Sequence, residues 1–79
     1  MPHPNPRPLG TYVHADPALL GGVPVFRGTR VPVKALFDYL QAGKTVHQFL
    51  ADFDGVTPDA VHAVLRAAEE DVVKHVPAA

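Results

Sequence analysis

Proline and glycine are placed so unevenly along this chain that they set what it can fold into. Prolines at positions 2, 4, 6, 8, 17, 24 and 32 crowd the first half, with glycines at 10, 21, 22 and 28 between them. Proline has a fixed φ and no N–H, which bars it from helix interiors and central strands. Short strands and turns are all that fits before Pro32. Beyond it the breakers thin to Gly43, Gly55, Pro58 and Pro77, a spacing that leaves room for three helices. Residues 1–8 alternate proline with other residues and are expected to form a flexible, polyproline-II-like arm. Residues 9–79 read as a single domain.

Within that domain the β-prone run Thr11-Tyr12-Val13 predicts a strand inside Leu9–His14, and Asp16-Pro17 predicts a turn. A second strand is expected over Val23–Arg27, where Pro24 cannot donate to a ladder and so marks an edge or an irregular pairing. The first helix is expected from about Pro32 to Ala42, with Pro32 at the first helical position and Gly43 capping the end. Val33, Leu36, Phe37 and Leu40 give it one apolar face. The second, from Thr45 to about Phe53, opens on the capping-box pair Thr45 and Gln48. The third starts at Thr57-Pro58-Asp59, with Val56 and Val61 spaced as a hydrophobic staple, and ends before Pro77. Its stripe is Val61, Val64, Leu65, Ala68 and Val72.

A mainly α chain of 79 residues has a thin core, and with no cysteine it has no disulfide or thiolate–metal staple. A partner subunit is the remaining source of burial. The expected result is a homodimer built through Leu9–His14 and Gly22–Arg27, because a two-stranded ribbon needs cover. No apolar run approaches the ~18 residues of a membrane span and no signal peptide is seen, so a cytoplasmic location is expected. The formal net charge of −1 lacks the basic excess of a dedicated nucleic-acid binder. The charge is nonetheless uneven. Arg7, Arg27, Arg30, Lys34 and Lys44 precede the acidic set Asp52, Asp54, Asp59, Glu69, Glu70 and Asp71.

The stretch GGVPVFRGTRVPV, Gly21–Val33, is the least generic part of the chain. A phosphate-binding loop fails there, because the glycine spacing is one residue too long and the phosphate-reaching lysine is missing. A strand-to-helix junction fits better, with Gly22, Gly28, Thr29 and Pro32 as its structural residues. A short helix, the Asp54-Gly55 turn and a capped third helix then have a helix-turn-helix outline, which any three-helix bundle would share.

With Gly22-x-Pro-apolar-apolar-x-Gly-Thr-Arg-apolar-Pro-Val33 in place, the chain resembles the bacterial domain of unknown function family 433, proposed VapB-type antitoxins. The resemblance runs from about Tyr12 to Glu69 and includes Asp16-Pro17, Ala42-Gly43 and the Phe53–Thr57 turn. Family members often carry proline where this chain has Asp54. The resemblance implies a homeodomain-like or winged-helix-like three-helix unit behind a small strand pair. It also implies an antitoxin role, since such genes often neighbour toxins with a PIN-like nuclease fold.

Candidate residues for binding a toxin or DNA are Arg27, Arg30, Lys34, Lys44, His62 and Arg66. Arg30 has two readings: pinning the junction through Asp16, Asp38 or carbonyls, or contacting a phosphate or an acidic partner. A PIN-like nuclease gathers carboxylates about metal ions, which Arg27 and Arg30 could engage, while Glu69-Glu70-Asp71 could mimic RNA against its basic rim. The bland reading of those acids is solvated helix surface, Glu70 pairing with Lys74. No histidine lies at i, i+3 or i+4 from another, and Ser and Cys are both absent, so neither a metal site, a cofactor nor catalysis is expected. Two functions stay open: an antitoxin with weak autoregulatory DNA binding as a dimer, or a small dimeric transcriptional regulator without a toxin.

Overall fold

The computed structural model describes residues 7–77, so all but Arg7 and Pro8 of the proposed arm lie outside the described residues. The chain is mainly helical, with a short antiparallel two-stranded sheet near its N-terminus. Strand β1 is Val13–His14 and β2 is Val25–Phe26; helices α1, α2 and α3 are Val33–Gln41, Val46–Asp52 and Pro58–His75.

The sheet is smaller than its β-prone residues suggest. Leu9–Thr11 is a 3-10 turn, closed by Thr11 N–H donating to Pro8 O and Tyr12 N–H to Leu9 O, both at 2.9 Å. Gly10, with no side chain to pack, favours a turn over strand pairing there. Two register pairs remain, Val13 opposite Phe26 and His14 opposite Val25.

Of the two readings that Pro24 left open, an edge or an irregular pairing, the second strand shows the irregular pairing. On its far side β2 meets a bridge from Val25 to Pro32; Phe26 N–H donates to Val31 O and Val33 N–H to Pro24 O, each at 3.0 Å. It is therefore flanked on both sides, and Val25 and Phe26 are 0% and 1% exposed. Pro24 sits just outside the pairing and contributes only its carbonyl. This covers the edge expected at Val23–Arg27, one of the two segments offered for a strand-mediated dimer, while among the described residues β1 pairs with β2 alone.

Pro32 shifts for the same reason. It is the N-cap of α1 rather than its first helical residue, with φ −65° and ψ 141°. The ring fixes φ alone, a value common to helix and extended chain, so the bridge to Val25 decides ψ.

The helix ends obey local chemistry. Gly43, at φ +81°, ends α1 in a Schellman motif: its N–H donates to Leu40 O and Lys44 N–H donates to Tyr39 O, both at 3.0 Å. Thr45 and Gln48 form the reciprocal capping box, with Gln48 N–H to Thr45 Oγ1 at 3.1 Å and Thr45 N–H to Gln48 Oε1 at 2.8 Å. Thr57 Oγ1 accepts from Ala60 N–H at 3.2 Å, and the staple residues Val56 and Val61 are both buried.

Phe26, Leu36, Phe49, Val56, Ala60, Val61 and Val64 form the core, joining β2 to all three helices. Phe49 is its aromatic centre, with ring centroids 4.9 Å from Phe53, 5.3 Å from Tyr39 and 6.1 Å from Phe26. Tyr39 also ties α1 to α2, its hydroxyl donating to Asp52 Oδ2 at 2.7 Å. That hydrogen bond, with burial and the carboxylate's charge, raises the phenol's pKa.

The core covers only the first part of α3. Val72, expected on the buried stripe, is 61% exposed, and every residue from Glu69 to Pro77 is exposed. At 18 residues α3 is about 27 Å long, and its buried residues Ala60, Val61 and Val64 all lie in its first two turns.

Candidate functional site

Because Val25-Phe26 and Val31-Pro32 pair with each other, residues 27–30 are the tip of a second hairpin, set between the sheet and α1. Thr29 holds the tip together. Its N–H and Oγ1–H both donate to Phe26 O, at 3.1 and 2.7 Å, and its Oγ1 accepts from Val31 N–H at 3.0 Å. Its methyl faces the turn between α2 and α3, where a Cβ on Gly55 would come within 3.2 Å of Thr29 Cγ2. Gly55 thus serves close approach. Gly28 serves the backbone instead, with φ +77° and open space where a Cβ would stand.

Arg27 is tied inward. Its backbone N–H donates to Tyr12 O at 2.8 Å, its Nε–H to Gly10 O at 2.8 Å, and its Nη1 lies 3.5 Å from His14 Nδ1. Arg30 points outward and makes no hydrogen bond or ion pair among the described residues. The acids offered to it as internal partners are occupied: Asp16 Oδ1 caps Ala18 N–H at 2.9 Å, and both oxygens of Asp38 take Lys34 Nζ at 2.9 Å. The pinning role considered for Arg30 falls to Thr29 and Arg27.

Beside the tip runs an open groove lined by His14, Leu19, Gly28, Thr29 and Arg30. One wall comes from an Asx turn at Asp16 and a left-handed run, Leu20 at φ 49°, Gly21 at 69° and Gly22 at 86°. Gly22 turns the chain as expected of it. A left-handed leucine is uncommon and carries strain, and this one is 52% exposed.

The remaining candidates stand on other elements, and three of the four are occupied inside the chain. Lys34 is neutralised in the first turn of α1 by Asp38. Lys44 lies over the Tyr39 ring, 4.9 Å from its centroid. Arg66 Nε is 3.7 Å from Glu70 Oε1, so Glu70 pairs with Arg66 rather than with Lys74. His62 is exposed on α3. The structure therefore brings Arg27, Gly28, Thr29 and Arg30 together with His14 and Leu19, and leaves Lys34, Lys44, His62 and Arg66 apart on the helices. Nothing local in the sequence marks His14 and Leu19; cross-strand pairing of His14 with Val25 and the left-handed run place them. No group of three or more metal-ligating side chains gathers among the described residues, and none of their helices is long and apolar enough to cross a membrane.

These features define a small three-helix protein carrying a two-sided β-hairpin whose basic tip is its most individual surface. A family profile described as "Protein of unknown function (DUF433)" matches residues 13–67, more than half of the chain, and the chain belongs to that family. The match begins at β1 and stops within α3, before its fully exposed segment. No curated protein and no solved structure matches the chain.

Proposed function

We propose that this protein is a VapB-like antitoxin that binds and inhibits a ribonuclease of PIN-like fold, without catalysis, metal or cofactor of its own, in the cytoplasm. One observation carries the reading: Arg30 is an outward guanidinium with no partner among the described residues, at a tip that Thr29, Gly28 and Arg27 hold rigid. A metal-dependent nuclease concentrates carboxylates in a concave site, and an arginine meets a carboxylate through paired, charge-assisted hydrogen bonds. Arg27, tied to Gly10 O, supplies a second positive charge behind it. The experiment is co-expression with the product of the neighbouring gene, where that product carries a nuclease-like cluster of carboxylates, followed by calorimetry. Arg30→Ala is expected to abolish growth rescue and weaken binding at least tenfold, about 1.4 kcal/mol, while Glu69→Ala/Glu70→Ala does not weaken it. Unchanged affinity in Arg30→Ala overturns the arginine contact, and a neighbour with no nuclease-like acidic cluster removes the antitoxin reading.

The second reading is a small dimeric helix-turn-helix regulator of homeodomain-like or winged-helix-like type. It is favoured by the order α2, turn 53–57, α3, with His62 and Arg66 exposed in the first half of α3. It is the weaker reading, since Lys34 and Arg66 are paired within the chain and Asp59 in the first turn of α3 repels phosphate. Operator binding with a steep salt dependence, lost in Arg66→Ala and kept in Arg30→Ala, would promote it over the antitoxin.

A further inference from the structure

Beyond the matched part of the family, α3 continues as a helix that nothing among the described residues covers. Glu69, Val72, Val73 and Val76 fall at i, i+3, i+4 and i+7 and so share one face, on which the valines are 61, 71 and 63% exposed. Glu70 and Asp71 are engaged by Arg66 and His75, at 3.7 and 3.0 Å. Glu69 has no hydrogen bond or ion pair among the described residues. A carboxylate set among valines is expensive to cover with apolar atoms alone. The face therefore fits a surface that combines apolar contact with a cation.

The hairpin groove has that character with the opposite sign. Arg30 is its uncompensated cation, Leu19 forms part of its wall, and Leu20, next along the chain, is held exposed by left-handed backbone. A chain's own tail does not lie in its own groove: all residues of 69–77 are exposed, and Glu69 and Arg30 are both unpaired among the described residues. A second copy carries both complements at once.

We propose that the α3 tail of one protomer docks in the hairpin groove of a second copy, Glu69 against Arg30 and the valine face against Leu19 and Leu20, reciprocally across a two-fold axis. The reciprocal arrangement uses each groove and each tail once and closes the pair, whereas a one-way contact would leave a free groove and tail and build a filament. Charge complementarity selects the register, and the valines provide the buried area. Each contact involves little more than two helical turns, at the small end of specific interfaces, so dissociation in the micromolar range is expected. This dimer needs no strand edge, and it stands or falls independently of the nuclease reading because it is measured on the protein alone. Where both hold, a toxin's carboxylates compete with Glu69 for Arg30.

Sedimentation equilibrium over about 1 to 300 µM at low salt tests it, the expected mass rising toward twice the 8.5 kDa chain. A single-chain mass throughout overturns the proposal. Arg30→Glu and Glu69→Arg alter exposed side chains that bond nothing inside the described chain; circular dichroism and melting curves confirm that each variant is folded. Each alone is expected to raise the dissociation constant at least tenfold, through like-charge contacts. An equimolar mixture of the two is expected to restore the dimer, since both of its contacts again join opposite charges. Variants that associate as the parent does, or a mixture that stays monomeric, overturn it. Val73→Asp, in the same face, is expected to dissociate the dimer too, and an unchanged constant there excludes the valine face.

Discussion

Val61 and Val73 stand on the same helix with the same side chain, one 2% exposed and the other 71%. The first half of α3 is held by a threonine cap, a hydrophobic staple and contact with Phe26, Leu36 and Phe49 through the core. The second half has its own backbone bonds and, at its surface, the Arg66–Glu70 pair and the His75–Asp71 contact. The hairpin tip is a third case, exposed like the tail but built by specific long-range bonds. Exposure therefore separates into two kinds here. The tip is a rigid presentation of charge, and the tail is a helix awaiting cover.

The largest expected difference comes from making one change in both halves of α3. Val61→Ala should cost about 2 to 3 kcal/mol, from lost burial plus a cavity, while Val73→Ala should stay within about 0.5 kcal/mol. Thermal melts at a concentration where the protein is monomeric decide it; equal losses would mean that the second half of α3 carries as much of the fold as the first.

At the tip, Gly28→Val is expected to cost about 1 to 3 kcal/mol, since its φ of +77° strains a β-branched residue even though a Cβ meets no atom. Arg30→Ala should be near neutral for stability. A Gly28→Val protein as stable as its parent would show that the tip relaxes, and rigid presentation would fail with it.

Thr29 sharpens the same point at smaller scale. Thr29→Ala removes a part-buried hydroxyl that donates to Phe26 O and accepts from Val31 N–H, an expected loss of about 1 to 2 kcal/mol. Thr29→Ser keeps both bonds and loses only the methyl against Gly55, so most of the stability should return. If Ser behaves like Ala, packing on Gly55 rather than hydrogen bonding holds the tip.

The smallest effect is in titration. Tyr39 donates to Asp52, which raises its pKa above the ordinary value of about 10, so the folded state keeps the phenolic proton where the unfolded chain releases it. Its contribution to stability is present below pH 10 and fades as pH rises through the folded-state value. Phenolate absorbance should show a phenol ionising above the ordinary value, a step absent in Tyr39→Phe. A Tyr39→Phe protein that keeps the late step would deny the α1–α2 tie.

Helix punctuation is legible in the sequence because its chemistry is local. Thr45 with Gln48, Thr57 with Pro58, and Gly43 each act on backbone groups within a turn, so a few residues' identity is enough. Strand limits are less legible, since β-prone Thr11 is drawn into a 3-10 turn and Pro24 leaves edge and irregular pairing open until the neighbours on both sides of β2 decide. The arginines of the candidate site are visible from their composition and position. Their division of labour is not, because the partners that separate Arg27 from Arg30 lie at Gly10, Tyr12 and His14.

Sequence alone determined the mainly helical class and the ends of the three helices apart from the start of α1, since these rest on short-range patterns of cap, breaker and apolar period, and its Gly22–Val33 block carried the family resemblance. Tertiary structure alone decided that β2 is central, that Thr29 rather than Arg30 pins the junction, and that the valine stripe of α3 outruns the core. Each of those outcomes depends on which distant backbone or side chain arrives alongside, and on how far the core extends. A linear pattern specifies the face a residue belongs to, but not what comes to cover it.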